Sequence, residues 1–143
     1  MKLPDVNVLL YAVDEGSVRH EPARAWVEDR LSGTETFALA WVVLLAFIRL
    51  TTSSRVFRSP LTTSEALDLV DGWLAQPCAT VVHPTSRHAS VLRELLEPLG
   101  TAGNLTTDAH LAALAIEHGA ELCSTDRDFS RFTGLRWADP LEA

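Results

Sequence analysis

Apolar positions along this chain recur in two rhythms, and the rhythms alternate. From Asp108, steps of three and four reach Leu111, Ala112, Ala115 and Ile116, the spacing of a helix with one face turned inward. Thr106 or Thr107 is the expected N-cap, and Gly119 the C-terminal stop. Beyond Gly119 a short apolar run reads as a strand that ends in Asp126 and Asp128. The earlier part of the chain has the same grammar. A short first strand ends near Asp5, with Pro4 out of place in it because proline lacks a backbone donor, and a helical turn capped around Asn7 follows. Val18 to Leu31 is a helix, Thr36 to Leu39 a second strand, and Trp41 to Leu50 an apolar helix. A loop runs from Ser53 to Pro60. A helix capped by Ser64 follows, then a strand over Ala79 to His83, and then a helix from Ser86 or Arg87 to Leu96. Leu135 to Trp137 is the last expected strand, and Pro140 begins a tail.

Strands and helices in alternation with short connections predict one α/β domain over residues 1–143: three layers, α/β/α, around a mostly parallel sheet of four to five short strands. In such sheets ligands bind beyond the carboxyl ends of the strands. The longest apolar run, Phe37 to Ile48, has twelve residues, too few for a bilayer. Asp5 interrupts any signal-peptide-like start, so a cytoplasmic protein with no membrane association is expected. Cys78 and Cys123 lack metal-site spacing and read as reduced, packed thiols. The Trp41–Ile48 helix is apolar beyond what one sheet face covers, so part of it, or a neighbouring helix, is expected in an interface with a partner protein.

A net charge of −7 argues against a protein that holds polyanions by bulk charge. Local chemistry must act instead. Asp5 and Asp126 follow strands, and Asp108 opens a helix on its inner face. Singly, Asp5 and Asp126 could each be a cap. Together, like charges at one sheet edge repel unless a cation lies between them, and all-oxygen donors suit Mg²⁺ or Mn²⁺. From Ala38 to Ser64 the chain has no acid but carries Arg49, Arg55 and Arg58, either a phosphate-contacting patch or a solvated loop. His110 points off the inner face, and His20, His83, His88 and His118 have no ligand spacing. Ser124 lacks a nucleophile-elbow motif, and no phosphate-binding glycine loop is present.

Three blocks carry a resemblance: Asp5-Val6-Asn7-Val8-Leu9-Leu10-Tyr11, Asn104 to Ala115 with its Asp108-Ala109-His110-Leu111 core, and Ser124-Thr125-Asp126-Arg127-Asp128-Phe129. In order and spacing, over nearly the whole chain, they resemble the PIN-domain family, above all VapC-type ribonuclease toxins of toxin–antitoxin pairs. The resemblance implies Mg²⁺-dependent (or Mn²⁺-dependent) endonucleolytic cleavage of RNA such as tRNA or rRNA. It also implies a homodimer and inhibition by a VapB-type antitoxin. It assigns catalysis and metal binding to Asp5, Asp108 and Asp126, with Asp128 as a further or outer ligand. Thr125 would hydrogen-bond around the metal site, and Asn7 would hold the first strand end. Most relatives place a Glu three residues before an Arg; here that position, before Arg49, is Ala46. This departure raises an alternative, a PIN-fold RNA- or protein-binding regulatory module with weak or no turnover. A third reading, an aspartyl phosphatase built on Asp126-Arg127-Asp128, needs a lysine partner, and the only lysine is Lys2.

Overall fold

In a computed structural model, which describes residues 1–142, five parallel strands form one sheet in the order β3-β2-β1-β4-β5. They are β1 (Lys2–Pro4), β2 (Phe37–Leu39), β3 (Ala79–Val81), β4 (Glu121–Cys123) and β5 (Trp137–Ala138). Six helices connect them: α1 (Val6–Val13), α2 (His20–Leu31), α3 (Trp41–Thr51), α4 (Thr63–Leu74), α5 (His88–Leu96) and α6 (Thr106–His118). The chain moves outward from β1 through β2 to β3, then returns across the sheet to β4. Crossovers between parallel strands are right-handed, so α1–α4 cover one face and α5–α6 the other. The packing agrees: α1 lies against α2 and α3, α3 against α4, and α5 against α6. The expected three-layer α/β/α architecture is therefore the observed one. Among the described residues no helix is long and apolar enough to cross a membrane.

Buried on both faces, the strands read as continuous apolar runs: Phe37, Ala38 and Leu39 are all buried, as are Leu3, Leu122 and Cys123. Burial pushes the Cys123 thiol up to about 12, so it packs as an inert thiol. Phe47 of α3 meets Trp73 of α4 edge-on at 4.7 Å between ring centroids, which ties the outer helices to the core. Pro4 has an account here. The Lys2 amide donates to Thr36 on the β2 side, and the Asp5 amide donates to Cys123 on the β4 side. By alternation the Pro4 nitrogen faces β2, where the ladder is registered only at Lys2↔Phe37, while β1 pairs with β4 through Pro4 itself. The missing donor falls where β1 and β2 diverge.

Several helix starts differ from expectation. The α4 cap is Thr62, not Ser64: Thr62 and Glu65 form a reciprocal capping box, and only Thr62 has the required three-residue spacing. Neither Thr106 nor Thr107 caps α6, because a 3₁₀ turn over Gly103–Leu105 leads directly into it. Asp5, not Asn7, caps α1. The second helix begins at His20, leaving Val18 outside it and fully exposed. The final strand is Trp137–Ala138, and the last residue of the expected tail, Ala143, lies outside the described residues.

Candidate active site

The return of the chain across the sheet places a topological switch point between β1 and β4, where a crevice opens at the carboxyl ends of the strands. Asp5 follows β1 directly, Asp126 and Asp128 follow β4, and Asp108 stands in the first turn of α6, the helix that feeds β4. The fold thus brings all four acids to one edge.

Ser124, completely buried, organises this edge. Its hydroxyl donates to Asp5 Oδ2 at 2.8 Å and accepts from the Asp126 amide at 3.1 Å and from Asn7 Nδ2 at 3.0 Å. Asn7 Nδ2 also reaches Asp5 Oδ2 at 3.2 Å, and Asn7 Oδ1 accepts from the Thr125 amide at 3.2 Å. Asn7 therefore clamps the ends of β1 and β4 together. Thr125 enters through its backbone, not through its hydroxyl. Asp5 Oδ1 accepts from the Val6 amide at 2.7 Å, and Asp126 Oδ1 from the Asp128 amide at 2.9 Å. Both residues are caps as well as members of the acidic cluster. Sequence reasoning missed Ser124; its place directly after the apolar run of β4 was the available signal.

Electrostatics single out Asp108. Burial, and then the charges of Asp5, Asp126 and Asp128, push its carboxyl up to about 6. Burial also raises Asp5, against the lowering effect of its bonds from Ser124 and the Val6 amide. None of the four acids makes an ion pair among the described residues. Also among the described residues, no three His, Cys, Asp or Glu side chains already stand at metal-holding separation. The donor set is nonetheless all carboxylate oxygen, the chemistry of a hard divalent cation.

Asp5 and Asp108 share the wall of a cavity of about 180 Å³ with Val42, Val43, Ala46 and Arg49 of α3. The Ala46 position, identified from its spacing to Arg49, is therefore at the site. The arginine trio divides: Arg49 lines this cavity, whereas Arg58 lines a separate groove with Asp14 and Glu15. Lys2 sits at the opposite end of β1, with Nζ 2.6 Å from Glu121 Oε1, which removes the lysine that a phosphatase would need. His110 turns away from the cavity, as expected, but it is not merely solvated. Its Nδ1 lies 2.9 Å from His88 Nε2, and His88 Nδ1 lies 2.5 Å from Glu117 Oε2. This chain of contacts fastens α5 to α6.

The PIN domain matches residues 2–135 of the chain. The chain belongs to the PIN domain family. Within that family it is 50% identical over 140 residues to ribonuclease VapC37 of Mycobacterium tuberculosis, covering 98% of this chain and 97% of that protein. It is 45% identical over 141 residues to ribonuclease VapC33 of the same organism, covering 99% of each. The PIN fold is matched by VapBC-1 from nontypeable Haemophilus influenzae at a TM-score of 0.70 and 17% identity, covering 99% and 98% of the two chains. It is also matched by VapBC2 from Rickettsia felis, bound to a promoter DNA fragment, at 0.69 and 19%, covering 96% of each.

Proposed function

We propose that this PIN domain protein is a divalent-metal-dependent endoribonuclease of the VapC type, with Asp5, Asp108, Asp126 and Asp128 holding the ion. The observation that carries the reading is the convergence of four like charges that repel at the carboxyl edge of the sheet, Asp5 after β1, Asp126 and Asp128 after β4 and Asp108 in the first turn of α6, with none of them in an ion pair among the described residues. Such repulsion is costly to maintain, and a divalent cation relieves it. The two ribonuclease relatives, at 45–50% identity over nearly the whole chain, direct that chemistry to RNA. A bound ion supplies activation of water and stabilisation of charge on the phosphoryl oxygens.

The chain's own residues do the positioning. Ser124 and Asn7 fix the Asp5 carboxylate at the strand end and Asp126 is held by its turn, while the Asp108 and Asp128 carboxylates accept no hydrogen bond among the described residues. Mg²⁺ is the expected ion, with Mn²⁺ as its substitute. RNA as substrate places the work in the cytoplasm. A VapB-type antitoxin and a second copy of the chain are the expected partners. The exposed pair Trp41 and Leu45 on α3, one helical turn apart, is an apolar surface suited to either.

The testing experiment is brief expression followed by sequencing of RNA 5′ ends, in parallel with cleavage of purified tRNA and rRNA with Mg²⁺, with Mn²⁺ and with EDTA. New ends that appear with wild type, disappear with Asp126→Asn and require metal support the reading. Cleavage that persists in EDTA refutes it. A second reading, a PIN-fold module with weak turnover, is favoured by Ala46 in the cavity wall, and RNA binding with no cleavage in either metal would establish it.

A further inference from the structure

We propose that Arg49 is the phosphate-binding residue of this site, receiving a backbone phosphate of the RNA from the α3 wall of the cavity. The inference rests on the nuclease reading and deepens it. Arg24, Arg30, Arg93 and Arg127 are each committed to neighbouring carboxylates. Arg49 makes no ion pair among the described residues, although Asp5 and Asp108 line the same cavity. A guanidinium whose residue shares a cavity lining with two carboxylates, and which is bonded to neither, remains available for an anionic ligand. It stands in the last turn of α3, where the helix dipole favours a cation. The other α3 residues of the lining, Val42, Val43, Ala46 and Leu50, have apolar side chains that offer the guanidinium no hydrogen-bond partner, and Thr107 is the uncharged polar residue of the cavity. Guanidinium geometry matches two phosphate oxygens at once, which an ammonium cannot do. In a chain of net charge −7, Arg49 is the cationic residue of this cavity's lining, so a polyanion entering there gains its attraction from this side chain.

The test uses the full chain and a fluorescein-labelled single-stranded oligoribonucleotide. Binding is followed by anisotropy in EDTA across a series of KCl concentrations, and cleavage of the same RNA is followed with Mg²⁺. Arg49→Gln should weaken binding about tenfold and lower the slope of log affinity against log salt by about 0.7, the loss of one single-strand phosphate contact. Its KM should rise by a similar factor with kcat nearly unchanged, since the contact exists in both ground and transition states. Arg49→Lys should keep the salt slope and recover only part of the affinity. Arg93→Gln, which removes a paired arginine on α5, should change neither. An unaltered salt slope in a folded Arg49→Gln protein overturns the assignment, as does a wild type that does not bind the oligonucleotide. A wild type that binds but never cleaves removes the nuclease reading, while the salt slope still judges Arg49.

Discussion

Replacing Asp108 by Asn should make the metal-free protein more stable at neutral pH, even though it removes a residue assigned to the site. The Asp108 carboxyl rises from 3.8 to about 6 on folding. At about 1.36 kcal/mol per pH unit this corresponds to ~3 kcal/mol of destabilisation when the group is ionised. Water reaches a half-buried carboxylate and screens part of that, leaving about 1–2 kcal/mol. The sign follows from linkage. Between the unfolded and folded values the folded state holds more protons, so wild-type stability rises as pH falls from above 6 toward 4. Asn resembles the protonated acid at all pH values. The variant should therefore melt about 3–8 °C above wild type at pH 7.5 in EDTA, with the gap closing below about pH 4. Adding Mg²⁺ should reverse the order, because the ion stabilises only the protein that binds it well. The assay is thermal denaturation by circular dichroism across pH, with and without Mg²⁺. An Asn variant that melts at or below wild type in EDTA at pH 7.5 would falsify the repulsion argument.

Ser124→Ala should cost about 1–3 kcal/mol in urea denaturation, since it strands the Asp126 amide and removes a donor from Asp5; a change within about 0.5 kcal/mol would show that Ser124 is not the organiser described. His88→Ala breaks the Glu117–His88–His110 chain and should lower stability by about 1–2 kcal/mol while leaving kcat for RNA cleavage intact. A loss of kcat with stability preserved would move that chain into the reaction. Leu45→Glu, on the exposed face of α3, should shift sedimentation toward monomer or abolish antitoxin binding, and a variant that matches wild type in both would place the interface elsewhere.

Much of this was legible because the relevant signals are local. Periodicity located α6, and Gly119 ends it with a left-handed backbone at φ 67°, a conformation open to glycine at little cost. Asp5, Asp126 and Asp128 are legible from their positions after strands, since parallel sheets put their crevice there, and Asp108 from its place on the inward stripe of α6. What the sequence hid is what depends on side chains meeting across distance. Ser124 and Asn7 are 117 residues apart, and no spacing rule links them. His88 and His110 meet only because α5 and α6 share a face. Pro4 is anomalous by sequence alone, because its place depends on the two sides of β1 pairing over different lengths. The α4 cap is different in kind: Thr62 and Glu65 carry the box spacing in the sequence itself, and Ser64 has no Glu or Gln three residues on.

The site's charge balance makes Ala46→Glu the most discriminating single change. Ala46 lines the cavity with Asp5 and Asp108, so a carboxylate introduced there adds an oxygen donor where the resemblance leads one to expect one. Mg²⁺ depends on carboxylates to be retained, and its affinity by calorimetry should rise. The cavity, about 180 Å³, leaves room for the larger side chain with modest strain. Yet position 46 is also three residues before Arg49 on the same helix, the spacing at which opposite charges pair. The new carboxylate should draw the guanidinium toward itself in the absence of metal. Oligonucleotide binding in EDTA should then weaken in the same way as in Arg49→Gln, with a shallower salt slope. With Mg²⁺ present the ion competes for the carboxylate and releases the arginine, so RNA affinity should recover. Tighter metal binding together with unchanged RNA affinity in EDTA would mean that Arg49 is not the residue that meets the phosphate. Unchanged metal affinity in a folded protein would mean that α3 contributes no ligand at this position.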